Sequence, residues 1–445
     1  MFTNIASNLY NLFFILLLPF LFIRLLIKSI RLQPYRHRLL ERLGIFSAPH
    51  CTNNIWIHTV SVGEFMSATP IIQKIQEKLP HMSIVITCTT PTGSSMIKKK
   101  LSNTVTHIYF PFDINFAIKN FLTRIKPKLL IIIEKEIWPN IILNCHKNNI
   151  PIIIANAQLS NKSFYRYKLI RPLIADCLKQ ITFICTQTKF DAFKFKRLIG
   201  INSINNIIVV GNSKFDIAWQ NSFNNNSLTS KSKNLNKIIW IAASTHPIEE
   251  QIILEAHKII LQNIPNALLI LAPRHPERSK SIAKILNDLN FTFSVHSNKS
   301  ILLEPNINEQ IYLVDSIGEL NMLYAISQAA FVGGSLVPIG GHNPLEPASH
   351  AIPVAMGPYT INCQQMVFRM RLANGLITVK NAQELSSIII KWLTDANLRA
   401  AMGQNAKNYL YNETGTSEKI ASLAADLLDP INLSSTKNHA VVGVF

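Results

Sequence analysis

The chain has 445 residues, 48% of them hydrophobic, enough for two ordinary domains each with its own core. Its 44 Lys and Arg exceed its 25 Asp and Glu, and the formal charge of +19 points to an acidic partner: nucleic acid, an anionic headgroup or a phosphorylated substrate. The six cysteines (Cys51, Cys88, Cys145, Cys177, Cys185, Cys363) include no Cys-x-x-Cys pair, which argues against a zinc site and a disulfide framework and favours a reducing compartment.

The first element is hydrophobic. Residues 12–23 carry no charge, and apolar character continues through Leu25, Leu26, Ile27 and Ile30, giving roughly the 20 residues a membrane helix needs. Arg24, Lys28, Arg31, Arg36, Arg38 and Arg42 follow this core, whereas a cleavable signal peptide carries its positive charges before it. Residues 1–32 are therefore expected to be an uncleaved anchor, a single pass with the bulk of the protein on the cytoplasmic face. The alternative is an amphipathic helix lying in the interface.

Seven strand-length apolar runs follow, at 55–60, 84–87, 107–110, 129–133, 152–155, 183–185 and 207–210, with helix-length segments such as 68–79, 115–125 and 190–198 between them. Continuous apolar strands alternating with helices predict a parallel, helix-covered sheet over residues 33–218. Residues 219–236, rich in Asn, Ser and Lys, read as a linker. A second series, at 238–242, 267–271, 291–295, 311–314, 329–332, 352–355 and 376–379, predicts a second doubly wound domain over 237–428, C-terminal helices included, before a loose tail at 429–445. Ligands in such sheets bind at the carboxyl ends of the strands, here expected to face a cleft between the domains.

The chemistry-bearing residues fall at strand ends. Ser61-Val-Gly-Glu64 follows the first strand: Gly63 permits a tight turn, and Glu64 is either a general base or a first-turn glutamate favourable to the helix dipole. Glu134-Lys-Glu-Ile-Trp-Pro-Asn140 ends another strand and puts Glu134 and Glu136 near the same rim. In the second half, Ser244-Thr-His-Pro247 and Pro273-Arg-His-Pro-Glu-Arg278 follow consecutive strands, with Ser244 or Thr245 as a helix cap and Arg274 and Arg278 suited to a phosphate or carboxylate. Gly333-Gly-Ser-Leu-Val-Pro-Ile-Gly-Gly-His-Asn-Pro-Leu-Glu-Pro-Ala348 concentrates four of the 15 glycines between a strand and a helix start. Asn343 reads as N-cap and Pro344 as the first helical residue, aiming free N–H groups at an anion; Glu346 completes a capping box on the plainer reading.

Several classes are disfavoured. His58, His246, His275, His342 and His350 form no close ligand pair, so no metal site is expected. Neither G-x-x-x-x-G-K-[ST] nor G-x-G-x-x-G occurs, which argues against a nucleoside triphosphatase and a dehydrogenase. Basic residues alternate with aromatic ones in Phe164-Tyr-Arg-Tyr-Lys168, as solvated helix faces or as contacts to anionic headgroups.

Taken together, these four strand-end motifs at 61–64, 134–140, 273–278 and 333–348 resemble the 3-deoxy-D-manno-octulosonic acid (Kdo) transferases of Gram-negative bacteria, over nearly the whole chain. The resemblance implies a GT-B glycosyltransferase, α/β with two Rossmann-like domains facing a cleft and an N-terminal membrane-anchor helix, at the bacterial inner membrane. It implies inverting, metal-independent transfer of Kdo from CMP-Kdo to a lipid A precursor (lipid IVA), without cofactor or nucleic-acid partner. Glu64 would be the catalytic base, with Glu136, Ser61 and Gly63 supporting acceptor or transition state. Arg274, His275, Gly333, Gly334, Ser335, Gly341, Asn343 and Glu346 would bind the donor. Lys135, Gln158, Lys162 and Pro247-Ile248 depart from the family pattern, the first three where acceptor contacts are expected. The competing readings are a GT-B transferase using a UDP-sugar on another membrane acceptor, and a non-catalytic membrane-anchored binder of anionic lipid.

Overall fold

Each strand-length apolar run becomes a parallel strand covered by helices on both faces, the packing that continuous apolar strands require. A computed structural model describes residues 2–31, 35, 37–47, 53–101, 104–200, 206–223, 237–298 and 309–429. The chain divides into one unit drawn from Met1–Asp216 and Gly415–Phe445 and another from Ile217–Thr414.

In the first unit, β1 (Asn54–His58), β2 (Ser83–Cys88), β3 (Val105–Tyr109), β4 (Pro127–Ile133), β5 (Ile152–Ala157), β6 (Phe183–Thr186) and β7 (Ile207–Val209) lie in the order β3-β2-β1-β4-β5-β6-β7. Ile55 and Ile57 of β1 pack with Ile71 and Ile75 of the helix Val62–Lys78, whereas Trp56 between them packs with Phe121 and Ile141 on the opposite face. Strand order reverses between β1 and β4, so their carboxyl ends flank the switch point of this sheet.

In the second unit, β8 (Ile238–Thr245), β9 (Ala267–Pro273), β10 (Phe293–Val295), β11 (Ile311–Leu313), β12 (Ala329–Val332), β13 (Val354–Met356) and β14 (Leu376–Thr378) lie in the order β10-β11-β9-β8-β12-β13-β14. Trp240 and Ala242 pack with Ile253 and Trp392, and the alternate residues Ile239 and Ile241 with Leu323 and Tyr324. The switch point here lies between β8 and β12.

Two boundaries differ from expectation. The helix after β1 begins at Val62 rather than at residue 68, because Ser61 caps it and its side chain accepts from the Glu64 N–H. Gly63 lies inside that first turn with only Ser61 Oγ near a Cβ placed there, at 3.8 Å, so the turn does not demand glycine. Of the expected linker, residues 219–223 end the helix Ser213–Phe223 and 224–236 lie outside the described residues, as does the tail from 430.

The last helix also departs from the expected domain over 237–428. Ala382–Thr394 and Ala396–Asn412 belong to the second unit, but Thr416–Leu428 packs in the first, where Ile420, Ala421 and Ala424 join Ile71 and Ile75. Its start is fixed by the buried Asp216, whose two oxygens accept from Gly415 N and Ser417 N, each at 2.7 Å. Asp216→Ala strips both acceptors from these N–H groups. We expect a loss of about 2 kcal/mol, read as a midpoint lowered by roughly 5 °C in thermal unfolding followed by circular dichroism.

Candidate active site

At the switch point of the second unit, the dominant feature is an internal carboxylate. Glu249 is the first residue of the helix Glu249–Asn263, fully buried, and its oxygens accept from Gly334 N (2.8 Å), Ser335 N (3.0 Å), Leu336 N (2.8 Å) and His246 N (3.3 Å). Burial raises its pKa above the ordinary value, and these four N–H bonds oppose the rise. The glycine-rich turn after β12 therefore does not hold a phosphate on free amides, as the sequence suggests; Glu249 already occupies them. Gly333 is required by the close approach of two neighbours, since a Cβ would stand 2.5 Å from Ser244 O and 2.7 Å from Glu249 Oε2. Ser335 is likewise internal, donating to Val332 O at 2.6 Å and accepting from Gly357 N at 2.8 Å.

The backbone is bent to bring Glu249 there. Ser244 (φ 56°) and Ile248 (φ 74°) both adopt the left-handed region, unusual for a non-glycine residue and costly for a β-branched one. Arg278, expected to contact a ligand, instead donates to both oxygens of the buried Glu250 at 2.8 and 2.9 Å. The helix Leu345–Ser349 is only five residues long, with Asn343 Oδ1 accepting from Leu345 N at 3.2 Å, so little dipole accumulates at its start.

What remains free for a ligand is more compact than the predicted list. Arg274 is exposed with no side-chain partner among the described residues, and its charge is felt by Glu346, His246 and His342. His246 Nε2 lies 2.8 Å from His342 Nε2, the rings parallel within 4°, and His275 meets the edge of His246 with centroids 5.9 Å apart. Burial, then the neighbouring cations, hold His342 down to about 4 and lower His246, so one neutral ring donates to the other. Gly334 (φ 66°) lies against His342, while Gly341 (φ 76°) lets the loop close by donating its N–H to Gly334 O at 2.7 Å. Asn343 hydrogen-bonds the half-buried Glu346, whose pKa is raised mainly by burial. Sequence reasoning discounted Glu249, because Pro247-Ile248 departs from the family pattern beside it, and missed the His246–His342 pair; the adjacent acids Glu249-Glu250 just after a strand end were the available signal for the first.

In the first unit the switch point holds acids. Glu64, 7% exposed, accepts from Val60 N through Oε2 at 2.5 Å, while Oε1 has no protein partner among the described residues. Burial pushes its carboxyl up to about 7; Glu136 and Glu134 add to the rise, and the Val60 N–H and Lys135 oppose it. Glu136 is raised in the same direction, chiefly by burial. Glu134 adopts φ 66° and donates its N–H to Ala155 O at 2.9 Å, which turns the chain out of β4 and leaves Lys135 exposed. Ser61, Glu64 and Glu136 thus gather at one strand-end site, as their motifs suggested. Among the described residues no three His, Cys, Asp or Glu side chains form a metal-ligand group.

Residues 37–217 match a family model described as 3-deoxy-D-manno-octulosonic-acid transferase (kdotransferase). The chain is 38% identical over 411 residues to the 3-deoxy-D-manno-octulosonic acid transferase of Haemophilus influenzae, covering 90% of this chain and 94% of that protein. It is 32% identical over 411 residues to that of Rickettsia bellii, covering 91% and 94%. Among solved structures, the UDP-GlcNAc 2-epimerase of Neisseria meningitidis bound to UDP-GlcNAc is similar with a TM-score of 0.56 at 13% identity, over 85% of this chain and 99% of that one; the likeness shows the GT-B-type fold.

The Glu249 carboxylate yields a direct test. Glu249→Gln keeps the shape but faces an amide NH2 toward N–H donors that need an acceptor. We expect a loss of about 3 kcal/mol by chemical denaturation, together with weaker donor binding by calorimetry.

Proposed function

Because the chain belongs to the Kdo transferase family of glycosyltransferases, we propose that it transfers Kdo from CMP-Kdo to a hydroxyl of the lipid A precursor lipid IVA, with inversion and without a metal, in lipopolysaccharide biosynthesis. The observation that carries this reading is Glu64, a buried carboxylate at a switch point whose pKa stands at about 7. A general base works best with its pKa near the working pH, and Oε1 is the oxygen left to take the proton.

In this mechanism the acceptor hydroxyl gives its proton to Glu64 Oε1 as its oxygen attacks the anomeric carbon of Kdo. The bond from that carbon to the phosphate oxygen breaks on the opposite side, its electron pair leaves with CMP, and the configuration inverts. Glu136 helps position the acceptor, and Ser61 holds the turn that carries Glu64. In the second unit Arg274 neutralises the departing phosphate and His246, His275 and His342 donate to it, as preorganised donors do for developing charge. Glu346, held by Asn343, accepts from the ribose hydroxyls. Gly333, Gly334, Ser335 and Gly341 contribute by building the Glu249-filled turn that supports His246 and His342.

Two measurements test the assignment. Glu64→Gln, still folded, is expected to release CMP from CMP-Kdo in the presence of lipid IVA roughly 10²- to 10⁴-fold more slowly than wild type; an unchanged rate refutes the base. Wild-type protein releasing UDP from a UDP-sugar, and no CMP from CMP-Kdo, supports the rival donor. The pH profile provides the second measurement. Glu64 acts as carboxylate, so kcat/KM should hold above about pH 7 and fall about tenfold per pH unit below it.

A further inference from the structure

The apolar helix Phe2–Arg31 lies along the first unit instead of leading away from it. Tyr10, Phe14, Leu18, Leu21, Leu25 and Ser29, spaced three or four residues apart, form one face that is half-buried or buried from near the start of the helix to its end. Tyr10 OH donates to the buried Asp113 carboxylate at 2.8 Å, and Asn11 Oδ1 accepts from Asn115 N at 3.1 Å and Asn140 Nδ2 at 3.3 Å. Phe22 packs its ring on Phe112, centroids 5.5 Å apart. Phe112 and Asp113 are chain neighbours, so the stretch from Tyr10 to Phe22, about 18 Å of helix, lies flat across one loop.

That geometry conflicts with a bilayer crossing. Leu9–Ile30 is long and apolar enough to span. A spanning helix, however, would carry Tyr10 and Asn11 to the headgroups about 30 Å from those beside Ser29, with hydrocarbon between. Asp113, Asn115 and Asn140, which bond to Tyr10 and Asn11, are part of the folded first unit and cannot sit there.

The outward face of the helix still needs covering. Leu12, Leu16, Phe20, Ile23, Ile27 and Ile30 are each more than half exposed, a contiguous apolar surface that water does not tolerate on a lone soluble protein. The sequence around its end is basic: Arg24, Lys28 and Arg31 lie in the helix and Arg36 follows it, with no acid before Glu41. The helix Arg171–Lys179, which packs against it, is preceded by Asn161–Leu169, a helix that buries none of its residues. There Tyr165, Leu169 and Ile170 are exposed beside Arg166, Lys168 and Arg171. Apolar residues at acyl depth with cations at headgroup level are the chemistry of an anionic leaflet.

We infer that Phe2–Arg31 lies in the plane of one leaflet of an anionic phospholipid bilayer, seating the first unit on that leaflet without crossing it. This does not depend on the transfer reaction. The test uses the full chain with single spin labels from Leu9→Cys, Phe20→Cys and Ile30→Cys, in a Cys51→Ser background; the other five native cysteines are buried. Vesicles are phosphatidylcholine alone or with phosphatidylglycerol. We expect all three labels at one shallow depth, roughly 5–10 Å below the headgroups, and binding at least about tenfold tighter to the acidic vesicles. Phe20 near the bilayer centre with Leu9 and Ile30 shallow at opposite faces overturns the in-plane arrangement. Equal binding to both compositions, or to neither, overturns the anionic surface.

Discussion

Four backbone N–H groups, from His246, Gly334, Ser335 and Leu336, end on the carboxylate of Glu249, and the geometry of the second switch point follows from that demand. Buried amides without acceptors are costly, so the turn after β12 and the loop after β8 are stable only together. Meeting the demand explains the left-handed Ile248, the missing side chain at Gly333 and the placing of His246 beside His342. It also puts a carboxylate beneath the residues proposed to meet the departing phosphate. The four N–H dipoles offset it locally, leaving Arg274 to present a positive charge and the histidine rings to present N–H donors.

The two units place a glutamate at equivalent points, in the first turn of the helix after the first strand, with opposite results. Glu249 has four N–H donors and is consumed by structure. Glu64 has one, from Val60, and keeps an oxygen without a protein partner. Burial is similar in kind, so the number of donors decides which carboxylate is fixed on both oxygens and which keeps one open.

The strands were legible because their cue is local: a buried parallel strand must be apolar on both faces, and all fourteen runs read that way became strands. Helix starts were less legible, since the Ser61 cap precedes any apolar period. At the candidate site, the strand-end positions of Glu64, Arg274 and Glu346 could be read from the motifs. The destination of Glu249 could not, because the pattern shows that a turn has free amides but not which distant side chain reaches them. Likewise Arg278 resembled a ligand contact until its partner, Glu250, lay opposite it. The first helix had the length and composition of a bilayer span, and only the bonds of Tyr10 and Asn11 to residues more than a hundred positions later speak to its direction.

The return of Thr416–Leu428 to the first unit has a consequence for biosynthesis. Ile420, Ala421 and Ala424 cover Ile71 and Ile75 from the far end of the chain, so a ribosome that has finished residues 1–216 has made a unit with one face still open. Synthesis thus completes the second unit, contiguous in the chain, before the first, and the side of the helix Val62–Lys78 that meets Ile420, Ala421 and Ala424 stays uncovered until Thr416–Leu428 is made.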